Sequence, residues 1–246
     1  GPKEVWRAKA GIGMSGLAIA GDTLVTMWQT DGQQRVVALH SRTGKPVWNT
    51  PVAPEYKNSM GNGPRGTPTI HGNTVFAFTG EGILVALNRA DGKILWKHEV
   101  VKELGGKEAD YGMACSPLVV GTNVIVLVGA SRGTLAAYDV ETGKLSWTSG
   151  KASVSYSSPT LLKVNDQSMI VAAAGNAIEG FDPKTGALLW SREFITDFQC
   201  NIAVPIAGPV GVFVSAGENH GSSYLSVVRN GKDFVVMDIW SSLGPK

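Results

Sequence analysis

The chain has 246 residues, a formal net charge of +2 and only 17% charged residues, with Lys and Arg scattered along it. Those values exclude the basic footprint of a nucleic-acid binder and the charge runs of a disordered tail. Its 31 glycines indicate an ordered, turn-rich protein whose length suits one all-β domain. In chain order, Val5-Trp6-Arg7-Ala8-Lys9 reads as an outer strand without inner partners, an extra strand over residues 4–10. Five units follow, over residues 14–52, 66–101, 113–150, 155–195 and 201–242. The second shows the layout: Thr67-Pro68-Thr69-Ile70, a His71-Gly72-Asn73 turn, Thr74 to Phe78, Gly80-Glu81-Gly82, Ile83 to Leu87, an Ala90-Asp91-Gly92 turn, and Lys93 to Lys97. Four short β-branched and aromatic runs separated by Gly and Asn turns predict a four-stranded antiparallel meander, and no window carries a sustained helical period. The expectation is an all-β protein: one β-propeller domain over 1–246 with about five four-stranded blades.

One phrase punctuates these units. Ala38 to Trp48 recurs as Ala86 to Trp96, Ala137 to Trp147 and Gly180 to Trp190. Each copy keeps a glycine (Gly44, Gly92, Gly143, Gly186) four residues before its tryptophan (Trp48, Trp96, Trp147, Trp190). Degenerate ends at Trp6 and Trp240 extend the ladder at intervals of 42 to 51 residues, a period that points to propeller blades. Pro68, Pro117, Pro159 and Pro205 each open an inner strand. The mechanics follow from residue type. Asp139 or Asp182 can fold onto backbone N–H groups two residues on. The glycine supplies a positive φ. The tryptophan can then cover a small residue of the adjacent blade, burying on the order of 150–250 Å².

Ala137-Tyr138-Asp139-Val140-Glu141-Thr142-Gly143-Lys144-Leu145-Ser146-Trp147 resembles the tryptophan-docking motif of quinoprotein-like (PQQ-repeat) β-propellers, a family with BamB-like members. The resemblance covers nearly the whole chain and speaks to fold, because catalytic and non-catalytic members share the motif. Enzymatic members clamp pyrroloquinoline quinone with adjacent cysteines and hold a calcium-type ion with six to eight oxygens. Here Cys115 and Cys200 are far apart, fit no zinc spacing and are expected to be thiols, while Asp110, Asp197 and Glu218 are isolated from one another. No cofactor is therefore expected, with pyrroloquinoline quinone plus calcium as the alternative. By the same resemblance the location is periplasmic or otherwise extracytoplasmic.

Other motifs carry little chemistry. Gly11-Ile12-Gly13-Met14-Ser15-Gly16 matches a dinucleotide fingerprint, but Leu17 to Met27 after it reads as a hairpin where the fingerprint needs a helix. The four histidines have no metal-ligand spacing. Residues 117–130, the longest apolar stretch, are broken by Gly121-Thr122-Asn123, so membrane insertion is not expected. The distinctive segments are the loops before the strand-opening prolines. They nominate Arg65, Tyr111, Tyr156, Gln199 and Asn201, with His220 from a polar loop, as a channel-mouth surface for a protein or peptide partner. Six outer segments against five sets of inner strands leave three readings open: part of a longer family member, a self-closed five-bladed ring with a spare strand, or self-association through open blade edges. The functional expectation is a non-catalytic extracytoplasmic interaction scaffold. The alternatives are a divergent quinone-dependent oxidoreductase and a ligand-sensing domain of a larger membrane-tethered protein.

Overall fold

The structure is a computed structural model and describes residue 1 and residues 3–217 and 220–242. It is nearly all β: 20 strands form five four-stranded antiparallel sheets, the blades of a β-propeller, each wound in simple chain order. The first blade holds β1 (Ala18–Ala20), β2 (Thr23–Thr30), β3 (Gln33–His40) and β4 (Pro46–Pro54). The second holds β5 (Thr69–His71), β6 (Thr74–Phe78), β7 (Ile83–Asn88) and β8 (Ile94–Glu99), followed by a single helical turn, α1 (Val100–Glu103). The third holds β9 (Leu118–Val120), β10 (Asn123–Ala130), β11 (Gly133–Asp139) and β12 (Leu145–Ser149). The fourth holds β13 (Thr160–Val164), β14 (Gln167–Ala173), β15 (Ala177–Phe181) and β16 (Leu188–Glu193). The fifth holds β17 (Ile206–Ala207), β18 (Gly211–Ala216), β19 (Gly221–Asn230) and β20 (Asp233–Ser242). Thr69, Leu118, Thr160 and Ile206, the residues immediately after the four prolines, begin the inner strands.

Packing groups the chain into two compact units. One comprises residues 1–103 and 110–117 with the first two blades; the other comprises 104–109 and 118–246 with the last three. In the first unit Val25, Met27, Val36, Ala38 and Trp48 of one blade close on Val75, Ala77, Val85 and Leu87 of the next. In the second, Met169, Val171, Ile178 and Trp190 close on Val212, Val214, Leu225 and Val227. Strands such as β7, buried from Ile83 to Leu87, are covered on both faces, which is why their sequences run apolar without alternating.

Residues 4–10 correct one expectation. They adopt no strand, because no neighbouring strand forms a ladder with them among the described residues; the first contact of that kind is the isolated bridge between Ile12 and Gln29. Trp6 is nevertheless held in place: its Nε1 donates to the Ser41 carbonyl at 2.9 Å and its ring packs beside Leu24, Val37 and Leu39.

Candidate functional site

The repeated phrase builds the same turn four times. The N–H of Gly44, Gly92, Gly143 and Gly186 donates to the carbonyl of His40, Asn88, Asp139 and Asp182 at 2.8 to 2.9 Å, and each glycine has φ between +67° and +73°. Asp139 Oδ1 accepts from the Thr142 hydroxyl at 2.7 Å and from the N–H of Thr142 and Glu141 at 2.8 and 3.2 Å. These donors, the Thr142 hydroxyl foremost, hold the Asp139 carboxyl below the usual aspartate range. Asp182 makes the same turn with Lys184 and Thr185; partial burial opposes its ionisation, but the donors outweigh it and its pKa is also lowered.

Across each blade the phrase's first residue pairs with its last: Ala38 with Trp48, Ala86 with Trp96, Ala137 with Trp147, Gly180 with Trp190. A register shift follows each pair, so the strand bulges next to the tryptophan. Trp48 lies directly over Gly92, where a Cβ would sit 2.6 Å from ring carbons, and its Nε1 donates to the Arg89 carbonyl at 2.8 Å. Trp147 covers Gly186 and Trp6 covers Gly44 in the same way. Trp190 is 5% exposed and packs on valines and Leu225 of the fifth blade, where no Thr-Gly copy stands. Trp96 is half-buried, with its ring 5.8 Å from that of Phe76.

The six nominated surface residues are divided between the two units, Arg65 and Tyr111 in the first and the other four in the second. In the first unit Arg65 is turned onto its own loop: its guanidinium donates to the Gly63 and Gly61 carbonyls at 2.6 and 2.7 Å and lies 4.9 Å above the Tyr56 ring. Tyr56 is wedged against Gly80 and Gly112, so Tyr111 sits beside this packed tyrosine, half-buried. Asn58 Nδ2 ties the two loops by donating to the Asp110 carbonyl at 2.9 Å.

In the second unit Tyr156, Gln199 and Asn201 converge on one serine-rich loop. The Ser155 hydroxyl lies 2.9 Å from the carbonyls of both Gln199 and Asn201 and accepts from the Asn201 N–H at 2.8 Å. The Tyr156 N–H donates to the Asn201 carbonyl at 3.2 Å, and Ser153 donates to Gln199 Oε1 at 2.7 Å. Asn201 is buried, with Nδ2 on the Ala174 carbonyl at 2.6 Å and Oδ1 without a protein partner. His220 stands apart, edge-on to Phe194 at 4.5 Å, in a cleft with the Arg192–Asp238 ion pair. Glu218, its near neighbour in sequence, lies outside the described residues.

This hydrogen-bonded pedestal displays something that residue type did not reveal. Phe198 and Gln199 both have left-handed backbones, at φ +61° and +53°, and Phe198 is 79% exposed. Ile195, Ile202 and Val204 beside it in sequence are also exposed. Two non-glycine residues in that region cost on the order of 1–3 kcal/mol each, so the pedestal holds an aromatic ring in water against two penalties.

Comparisons with known proteins bear on the fold and the family. A family model described as outer membrane protein assembly factor BamB matches residues 2–101 and 55–219. The chain belongs to the BamB-like PQQ-repeat family. Among curated relatives of this family, BamB of Yersinia pestis is 27% identical over 208 residues, which cover 78% of this chain and 48% of that protein. Quinoprotein alcohol dehydrogenase PedH of Pseudomonas putida is 31% identical over 127 residues, covering 49% of this chain and 20% of the enzyme. The chain thus spans about half or less of these relatives' length. The crystal structure of BamB from Moraxella catarrhalis superposes with a TM-score of 0.63 at 21% identity, over 94% of this chain and 60% of that one.

PQQ-repeat enzymes bring a quinone and an ion, and the residues here do not fit that pair. Cys115 is buried, Cys200 half-buried, both are thiols, and they are 85 positions apart in sequence. Among the described residues no three His, Cys, Asp or Glu side chains converge as a metal site. A buried carboxylate does exist where sequence reading saw only a strand: Glu179, 1% exposed in β15. It accepts from the Thr134 hydroxyl at 2.6 Å and the Lys151 N–H at 3.1 Å, fastening the third blade to the fourth. A lone Glu in an apolar run was the available signal.

Proposed function

We propose that this chain is a non-catalytic, extracytoplasmic propeller scaffold that binds extended segments of other proteins. The observation that carries the reading is the Phe198 pedestal: a rigid hydrogen-bonded loop presenting an exposed aromatic flanked by Ile195, Ile202 and Val204. A backbone pre-ordered in this way loses little entropy on binding, and the ring it presents can anchor in a partner's apolar cleft. Relatives named as outer membrane protein assembly factors support protein partners and a location outside the cytoplasm.

Of the six nominated residues, Tyr156, Gln199 and Asn201 then serve as the pedestal, and Arg65 and Tyr111 rigidify a corresponding loop in the first unit. His220 borders a separate cleft. The test uses a fluorescent ten-residue peptide with alternating aromatic and polar residues, the pattern of an outer-membrane barrel strand. Burying a Phe is worth about 1.5–3 kcal/mol, so Phe198→Ser should weaken peptide binding about tenfold or more while leaving the unfolding midpoint in place. Equal affinity of variant and parent would sink the reading.

A further inference from the structure

We infer that the hydrogen bond between Ser153 and Gln199 is a latch, closed when its loop presents Phe198 and open when the loop relaxes; it regulates the anchor proposed above and so rests on that reading. The latch lies wholly within the second unit and joins residues 46 apart in sequence. Backbone conformation gives the first reason. Five non-glycine residues among those described have positive φ: Asp31, Asn165, Asp166, Phe198 and Gln199. Asp31, Asn165 and Asp166 stand in hairpin turns between β2 and β3 and between β13 and β14, and short polar side chains of this type tolerate the left-handed region. Phe198 and Gln199 have neither the type nor the turn, and they are consecutive. Their conformation is therefore imposed by contacts from elsewhere in the chain.

The same loop holds two buried side-chain atoms without a protein partner, Thr196 Oγ1 and Asn201 Oδ1. Two strained backbones and two unsatisfied atoms within residues 196–201 bring a relaxed state close in free energy. In that state Phe198 and Gln199 return to the right-handed region and the ring leaves its presenting position.

The main chain around the strained pair is held on both sides: the Gln199 N–H donates to the Thr196 carbonyl at 3.0 Å and the Asn201 N–H to the Ser155 hydroxyl at 2.8 Å. The grip on the Gln199 side chain is the Ser153 hydroxyl, which donates to Oε1 at 2.7 Å. Ser153 is itself fixed. Its N–H donates to Asn176 Oδ1 and its carbonyl accepts from the Gly175 N–H, both at 3.0 Å. Gly175 leaves the space, since a Cβ there would run into Ser153 Oγ and crowd Gln199 Oε1. Water reaches the Ser153–Gln199 bond, so its net worth is modest and it opens without disturbing the core. A partner that needs Phe198 in place binds in proportion to the latched fraction.

The test places 4-fluorophenylalanine at position 198, records the fluorine spectrum of the free chain, and then titrates the alternating peptide described above. The parent should show one dominant fluorine signal. Ser153→Ala and Gln199→Met each remove the latch. Each should shift or split that signal and weaken peptide binding about fivefold, the worth of one net hydrogen bond, with the thermal transition in place. The double variant should be no weaker than either single one. Gln199→Glu keeps an acceptor for the Ser153 hydroxyl and should behave like the parent. A fluorine spectrum untouched by Ser153→Ala, or single effects that add in the double variant, overturns the latch. If Phe198→Ser binds the peptide as the parent does, the anchor reading alone is lost, because the fluorine signal still reports the latch in the free chain.

Discussion

Removing the Trp48 ring tests the docking logic most directly. Trp48 is 8% exposed, lies flat over Gly92 and donates from Nε1 to the Arg89 carbonyl at 2.8 Å. Burial of about 150–250 Å² at roughly 25 cal/mol per Å² corresponds to about 4–6 kcal/mol, and measured large-to-small substitutions of buried aromatics cluster at about 3–5 kcal/mol. The hydrogen bond adds about 1 kcal/mol. Trp48→Ala should therefore cost about 4–5 kcal/mol, a large share of a typical domain's stability. Gly92→Ala attacks the same contact from below. At φ +73° the new Cβ is strained, and it would lie 2.6 Å from ring carbons of Trp48 and from Thr50 Oγ1, for a combined cost of about 2–4 kcal/mol. In the double variant the ring clash is gone, and Gly92→Ala should cost about 1–2 kcal/mol from backbone strain and the Thr50 contact. Urea unfolding of parent, single and double variants then yields a coupling energy of about 1–2 kcal/mol. Strict additivity, or a loss below about 1 kcal/mol for Trp48→Ala, would refute the docking argument.

Two further predictions concern polar groups. Glu179→Ala strips the acceptor from the Thr134 hydroxyl and the Lys151 N–H at a position 1% exposed; it should destabilise the chain by about 2–4 kcal/mol, with Glu179→Gln costing less because one carbonyl acceptor survives. The Asp139 and Asp182 carboxyls have folded-state pKa values below their unfolded ones. Their contribution to stability is thus fully present above an unfolded value near 4 and is lost as the pH falls through the lower folded values. Urea midpoints measured from pH 6 down to pH 2.5 should fall across that window, and Asp139→Asn with Asp182→Asn should flatten the fall; an unchanged slope in the double variant would contradict the turn electrostatics.

Much of the fold was written in short-range signals. Four copies of one phrase at 43 to 51 residue intervals specify blades, and each element of the phrase acts within its own turn: Asp139 and Asp182 accept from N–H groups two and three residues on, and Gly44, Gly92, Gly143 and Gly186 take positive φ. Such interactions are decided by neighbours in the chain, so sequence can state them. The outer strand expected at residues 4–10 failed for the opposite reason: a strand exists only beside a partner, and Trp6 retained its stacking on Gly44 without one.

The candidate surface was decided by loop contacts, two and four residues apart at Arg65 and 46 residues apart at Gln199 and Asn201. Arg65, Gln199 and Asn201 read as ligand-facing polar groups, yet Arg65 closes on Gly61 and Gly63, and Gln199 and Asn201 lock onto Ser153 and Ser155. Loop carbonyls and hydroxyls must be satisfied before any side chain is available to a partner, and which groups meet is settled only when neighbouring blades stack. Phe198 stays in water while the same stacking buries Trp48 and Trp190. By itself the sequence determined the blade, its turns and its period, because those are local. Tertiary structure decided which apolar faces are already covered and which remain open, because burial belongs to the neighbour as much as to the residue.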